Sequence, residues 1–397
     1  MNNNIRNEFP ALKDEKVIYF DSACTALKPY RVIEAMNEYY SFSGCHKRGS
    51  HSFSQKTTDA YEKGRETVQR FINAEFPSEI VFTKNTTEAI NLVSRSFQFK
   101  KNDIVLTTNI EHNSNFLPWM ALASKNDIIH KILPVNSDLT FNLKELENIL
   151  GNNKVALLSI PHTSNLSGMT FPAEEIISIA RRYGTLVLLD GAQSVTHHQI
   201  DVQKLDADFF TFSAHKIFGP PGVGILYGKK HLLKNLAPFI VGGETAEDVN
   251  NTDFVISPLP DKFEAGIQNY PGVMGSASAI NFIGSVGIEK IHQHVTGLNK
   301  YLTQKMLNEN IEIIGTADAG SRGNIFNFIC PKFDSIQLAQ IIGEAKNIMA
   351  RAGVHCIHSW FNQEQKPASI RLSFQIYNSR EEIDIFYETF KKIMQYY

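Results

Sequence analysis

The chain reads as an α/β protein in which a mostly parallel sheet covered by helices is followed by a smaller α/β unit. Three observations predict this. Apolar, strand-length runs alternate with helix-length amphipathic segments through most of the first 285 residues, the pattern of a parallel sheet with crossover helices. Beyond about residue 285 the order changes to one long helical stretch and then short strands and helices. A length of 397 residues also exceeds the roughly 250–300 at which a single hydrophobic core stops growing, so two domains are expected.

Taken in order, "EIVFT" (79–83) reads as a buried strand leading into a helical "TTEAINLVSRSF". "DIVLTT" (103–108) and "VALLSI" (155–160) are further apolar runs. "EEIISIARRYG" (174–184) has helical spacing and stops at a glycine, as helices often do. "TLVLLD" follows at once, a strand that ends in Asp190. "ADFFTFSA" and "GVGILYG" are two strands close together, the second bounded by glycines. In the second unit, a helical "GIEKIHQHVTGLNKYLTQKML" precedes strands "IEIIG" and "NIFNFIC", a helix near "SIQLAQIIGEAKN", a strand "SIRLSFQIY" and a last helix. There is no internal repeat and no low-complexity tract.

Composition narrows the class. With 43% hydrophobic and 20% charged residues the chain is ordinary globular protein. A net charge of -2 argues against a dedicated nucleic-acid binder. No apolar run approaches the roughly 18 residues of a membrane span, and "MNNNIRNEFPALKDEK" lacks the order of a secretory signal. A cytoplasmic location is the expectation. The four cysteines, Cys24, Cys45, Cys330 and Cys356, are too few and scattered for a disulfide framework.

In open α/β sheets functional groups gather outside the carboxyl ends of the strands. Thr86 and Thr87 lie between "EIVFT" and its helix, and Asn165 follows "VALLSI". Asp190 and Gln193 close "TLVLLDGAQ", while Ser213, His215 and Lys216 follow "ADFFTF". Pyridoxal phosphate needs nearly all of these together: a lysine for its Schiff base and a carboxylate facing its pyridinium nitrogen. Its phosphate needs amide and hydroxyl donors of the kind a helix N-terminus offers, here Asn85, Thr86 and Thr87. Singly, each has a plainer use: a strand-end aspartate forms turns, threonines cap helices, and "GPPGVG" is a structural turn. Only the ensemble points to the cofactor. No "GxxxxGK[ST]" loop and no dinucleotide glycine spacing occurs, which removes a nicotinamide dehydrogenase.

Together, "YFDSACTALKP", "KRGSH", "NTTEAINL", "EHNSNFLPW", "HTSNLSG", "VLLDGAQSV", "DADFFTFSAHKIFGPPGVGILYG", "FEAGIQN", "RAGVHC" and "SIRLSFQIYNS" resemble the class V, fold type I pyridoxal-phosphate enzymes. Within them the resemblance is to the cysteine desulfurase and selenocysteine lyase family, and it covers nearly the whole chain. It implies a large cofactor-binding domain (25–285) built on a mostly parallel seven-stranded sheet, a small C-terminal α/β domain (286–397), and an N-terminal arm (1–24) associated with the latter. It implies Lys216 as the Schiff-base lysine, Asp190 and Gln193 at the ring, and Ser213 and His215 near the phosphate. His112 is expected to stack on the ring and move protons, Asn165 to contact the ring hydroxyl or substrate, and Arg371 to hold the substrate carboxylate through paired hydrogen bonds. Desulfuration further needs a thiolate to take the sulfur, and the resemblance assigns it to Cys356, between His355 and His358.

The implied protein is a homodimeric desulfurase of L-cysteine that passes persulfide sulfur to an acceptor protein. The alternatives are another class V activity (aminotransferase, epimerase, selenocysteine lyase or C–S lyase) that does not use Cys356, or a silent scaffold. The pattern is broken in places. Ile267 stands where the family has a threonine reaching the partner's phosphate, with Gln268 or Asn269 as substitutes. Lys47 replaces a histidine beside Arg48 and His51, Asn113 a histidine after His112, and Val354 a histidine before His355. Cys24 and Cys45 are expected to be buried and inert, and Cys330 to be core. The pairs His197–His198 and His355–His358 are weak metal candidates, and no metal is expected.

Overall fold

The computed structural model describes residues 5–14, 16–125 and 127–396. Its strands are β1 (Ile18–Tyr19), β2 (Ile80–Thr83), β3 (Asp103–Thr108), β4 (Ile128–Leu133), β5 (Val155–Pro161), β6 (Leu186–Asp190), β7 (Phe209–Ser213) and β8 (Gly224–Gly228). There follow β9 (Ala246–Val249), β10 (Phe254–Ile256), β11 (Glu312–Ile313), β12 (Ile325–Ile329), β13 (Ile348–Met349), β14 (Arg351–Gly353) and β15 (Ser369–Ser373).

Among the described residues, seven strands form the large sheet in the order β2–β8–β7–β6–β5–β3–β4. Strands β7 through β4 run parallel, and β8 is antiparallel to both β7 and β2. The apolar runs are explained by burial on both faces. In β6, Val187 and Leu189 enter one core and Leu188 the other, as the two-residue side-chain period requires. Strand β4 is absent from the sequence reading because "IIHKIL" is an edge strand with half-exposed middle positions, so no apolar run marks it. The hairpin β9–β10 escaped for the same reason; its strands are mostly exposed.

The smaller sheet has the order β11–β12–β15–β14, all antiparallel. Helices Ile288–Met306, Ser335–Lys346 and Arg380–Tyr396 bury Leu298, Leu302, Leu338, Ile342, Phe386 and Phe390 in the same core. The N-terminal residues lie against this sheet: β1 pairs in parallel with β13, Asp21 bridges to Ser373, and Arg6 meets Glu382 at 2.6 Å. No helix among the described residues is long and apolar enough to cross a membrane.

Two local features position the site. Gly191, directly after Asp190, is packed so tightly that a Cβ there would lie 2.0 Å from the Phe210 ring. In "FEAGIQN" the glutamate is structural: Glu264 takes a two-point hydrogen bond from Arg65 at 2.7 and 2.9 Å, and further bonds from the Tyr61 hydroxyl and the Phe82 amide at 2.7 and 2.8 Å. Arg65 and Glu264 are both buried. Removing one partner strands the other's charge, so Glu264→Ala is expected to lower unfolding free energy by roughly 3–5 kcal/mol. Urea titration of the intact protein checks this; a loss under about 1 kcal/mol, the worth of a surface pair, would contradict it.

Candidate active site

The loops after β3, β5, β6 and β7 converge with the start of helix Thr86–Ser96 and with the small sheet around a cavity of about 280 Å³. Every residue singled out for catalysis, cofactor or substrate lines it: Thr86, Thr87, His112, Asn165, Asp190, Gln193, Ser213, His215, Lys216, Cys356 and Arg371. Residues up to 285 positions apart in the chain thus meet at one place, because parallel strands present all their carboxyl ends on one edge.

At the floor, Asp190 accepts a hydrogen bond from the Ala192 amide at 2.9 Å. Burial raises the pKa of its carboxyl above the ordinary range, although Lys216 pulls the other way. Burial likewise holds the Lys216 amine below its ordinary value, favouring the free, nucleophilic base. Lys216 follows the last residue of β7 by three positions, on the short turn Ala214–Lys216. Gln193 donates through Nε2 to the Ala23 carbonyl at 2.9 Å, while its Oε1 is buried with no partner among the described residues. An unpaired buried acceptor of this kind is uncommon without a ligand.

At the end lined by the helix start, Asn85 caps helix Thr86–Ser96 by accepting from the Glu88 amide. The Ser213 hydroxyl accepts from the Thr86 amide at 2.8 Å and pairs with the Thr86 hydroxyl at 2.7 Å. Thr87 pairs with Ser114 at 2.7 Å. Hydroxyls and free amides at a helix N-terminus form an anion site. Gly224 lets β8 pass close beneath, since a Cβ there would lie 2.4 Å from the Asn85 backbone. The donor set and the orphaned Gln193 oxygen both fit pyridoxal phosphate.

His112 caps helix Asn113–Ala123; its Nδ1 accepts from the Ser114 amide at 3.1 Å, so the proton of the neutral ring sits on Nε2. Burial, with Lys216 and the arginines nearby, lowers its pKa to about 3. Beside it in sequence, Glu111 is fully buried and pushed up to about 8 by that burial, holding Thr108 and Asn115. Asn165 lines the cavity and also braces its wall. Its Nδ2 donates to the His355 carbonyl at 2.9 Å, and its own carbonyl accepts from Arg371 at 3.0 Å. It therefore anchors the cysteine loop and the arginine within this chain.

The cysteine loop is tightly bent. His355 and Cys356 both have left-handed backbone angles, φ 49° and 60°, which bulky residues rarely adopt. The Asn113 amide donates to the Cys356 carbonyl at 2.7 Å and clamps the bend. The two histidines that flank the thiol in sequence have other partners. His355 is turned to Ser369 at 3.0 Å and lowered to about 2 by burial, and His358 meets Asn113 at 3.0 Å. The basic side chains that share the cavity with Cys356 include Lys216, Arg351 and Arg371.

Sequence reasoning missed Arg351 and misjudged two cysteines. Cys24 is half-buried and lines the cavity, where Arg351 reaches its sulfur at 2.8 Å. Cys45 is exposed, on the turn before helix Ser52–Phe71, and Cys330 is buried as expected. Arg351 precedes Cys356 by five residues in "RAGVHC", and the reading had attended only to the cysteine of that motif. Of the two substitutes for the missing threonine, Asn269 is already engaged, donating to the Gly222 carbonyl and accepting from the Gly272 amide. Gln268 donates to Ala265, and Ile267 is 57% exposed.

Three comparisons bear on this geometry. The aminotransferase class-V family matches residues 18–386. A probable cysteine desulfurase of Halalkalibacterium halodurans is 36% identical, over 99% of this chain and 98% of its own. One from Mycolicibacterium paratuberculosis is 35% identical over 98% of this chain, which spans only 58% of that longer protein; for one from Mycobacterium leprae the span is 65%. Among solved structures, an apo cysteine desulfurase from Thermococcus onnurineus NA1 superposes with a TM-score of 0.95 at 33% identity, covering 100% of this chain and 99% of that one. A cysteine desulfurase from Escherichia coli, solved with an S-sulfonic acid, superposes at 0.91 and 29% identity, covering 100% and 99%.

Proposed function

This chain belongs to the aminotransferase class-V family, and from that premise we propose that it is a pyridoxal-phosphate-dependent cysteine desulfurase. It converts L-cysteine to L-alanine and keeps the sulfur as a persulfide on Cys356. The observation that carries this reading is a thiol, Cys356, in the same cavity as Lys216, Asp190 and Arg371. An amino-acid enzyme of this class without desulfuration has no need of it.

Pyridoxal phosphate, when bound, supplies an aldehyde for covalent attachment and an electron-accepting ring. Lys216 is the amine that would bond to that aldehyde, and as a free base it would move the proton at the substrate's α-carbon. Asp190 would favour the protonated form of the ring nitrogen, and the unpartnered Gln193 Oε1 would accept a hydrogen bond from the ring hydroxyl. Thr86, Thr87, Ser213 and His215 would hold the phosphate. His112 would exchange a proton at Nε2 from the cavity wall. Cys356 attacks the substrate sulfur: the carbon–sulfur bond breaks, a sulfur–sulfur bond forms, and the carbon side leaves as alanine after protonation.

Arg371 binds the substrate carboxylate. Part of its guanidinium is available for this, since Nε has no partner among the described residues and Asp21 stands 3.5 Å from Nη2. Arg371→Lys keeps a charge but loses the two-point fork. It is expected to raise KM for L-cysteine about 10-fold or more with a smaller change in kcat, read from alanine formation; an unchanged KM removes the role.

The same reading gives a cytoplasmic homodimer that hands its sulfur to an acceptor protein, with the division at residues 25–285 and 286–397. The dimer is supported by large apolar side chains left exposed on this chain, among them Val241, Val249, Phe254, Val255 and Ile267. The test of function is direct: incubate the pyridoxal-loaded protein with L-cysteine and measure alanine and sulfide with and without a thiol reductant. Alanine in amounts equal to released sulfur supports the proposal; pyruvate in its place indicates a C–S lyase.

A further inference from the structure

Three imidazoles that the proposed reaction leaves idle lie together outside the active-site cavity. His197 and His198 follow the short turn Ser194–Thr196, and His292 stands near the start of helix Ile288–Met306. One ring nitrogen from each lies within 4.8 Å of the other two. Ring centroids are 4.4 Å apart for His197–His198, 4.8 Å for His198–His292 and 5.8 Å for His197–His292.

The hydrogen bonds fix how His197 is protonated. The Thr196 hydroxyl lies 2.8 Å from the Gln193 carbonyl and 2.7 Å from His197 Nδ1. A carbonyl can only accept, so the one hydroxyl proton goes to Gln193, and the second bond must be donated by Nδ1–H. Neutral His197 therefore carries a bare lone pair on Nε2. That atom is buried in a residue only 1% exposed and has no partner among the described residues. Space beside it is kept by Gly323, where a Cβ would approach Nε2 to 2.8 Å. His292 Nδ1 is a second buried nitrogen with no partner among the described residues. Ordinary packing seldom leaves two such atoms in one cluster.

We propose that His197, His198 and His292 bind one divalent transition-metal ion of the zinc type, with His197 Nε2 as the anchoring ligand. Imidazole nitrogens suit Zn²⁺, Co²⁺, Ni²⁺ and Cu²⁺. The Thr196 hydrogen bond orients His197 as outer partners orient metal-binding histidines. Nitrogens at about 2.1 Å from a tetrahedral ion stand about 3.4 Å apart, so a pair at the 4.8 Å limit closes by about 1.4 Å. His198 and His292 are half-buried; His198 Nε2 lies 2.9 Å from the Thr170 hydroxyl, so the ring rotation that closes the site exchanges that bond for the ion. A water completes the fourth position. The ion would join the segment just after Gln193 to the helix that leads into the small sheet's layer.

Calorimetric titration of Zn²⁺ into the pyridoxal-loaded protein tests this, after iodoacetamide has blocked accessible thiols so that cysteines cannot serve as ligands. One saturable equivalent is expected, weakened at least 10-fold by His292→Gln and by His198→Gln separately. Co²⁺ in the same preparation should give visible ligand-field absorption that each variant loses. Both substitutions lie at half-buried positions, and circular dichroism identifies any variant that fails to fold, leaving the other to decide. Absence of saturable Zn²⁺ uptake by the alkylated protein, or equal uptake by the folded variants, would overturn the proposal.

Discussion

Lys216→Ala is expected to end covalent capture of pyridoxal phosphate and to cut alanine formation from L-cysteine by roughly 10⁴-fold, the upper end for loss of a proton-transfer group. Two effects combine. The amine whose pKa burial lowers is gone, and so is the base that moves the α-proton. The anion site at Thr86, Thr87 and Ser213 remains, so the variant should still bind the cofactor reversibly and lose it on dialysis. Borohydride reduction of the wild-type protein, followed by digestion, should place the pyridoxyl tag on the peptide containing Lys216. A tag elsewhere, or an active alanine variant, would dismantle the assignment of every group arranged around that amine.

Cys356→Ser should lower alanine formation by roughly 10³-fold or more, the scale on which removal of a covalent nucleophile acts, while the cofactor spectrum is retained. A serine hydroxyl at the same bend cannot form the sulfur–sulfur bond, yet nothing that touches the cofactor is disturbed. Mass spectrometry of the wild-type protein after L-cysteine should show one added sulfur on the peptide carrying Cys356. Undiminished turnover by the serine variant would favour an aminotransferase, epimerase or lyase. Cys24 offers an internal control: it shares the cavity and is held by Arg351, so an added sulfur found there instead would reassign the nucleophile.

The strands legible in the sequence were those buried on both faces, because only they produce unbroken apolar runs. β5, β6 and β7 were placed to within a residue or two, whereas β4, exposed along one edge, and the hairpin β9–β10 left no such trace. Membership of the cavity was legible where a motif stands at a strand end, as with Asp190, Gln193 and Lys216. What could not be read is how side chains turn. Asn165 also braces the cysteine loop through the His355 carbonyl, and the His355 ring faces Ser369, two contacts that no local motif announces. Cys24 looked inert because its contact with Arg351 spans 327 positions of chain, a distance over which local sequence carries no information.

The bend at His355 and Cys356, with the Asn113 and Asn165 bonds that clamp it, has a consequence for delivery. If Cys356 carries sulfur as proposed, a cargo atom on so short a tether has little reach beyond the cavity, and any recipient would have to bring its own nucleophile inward to collect it.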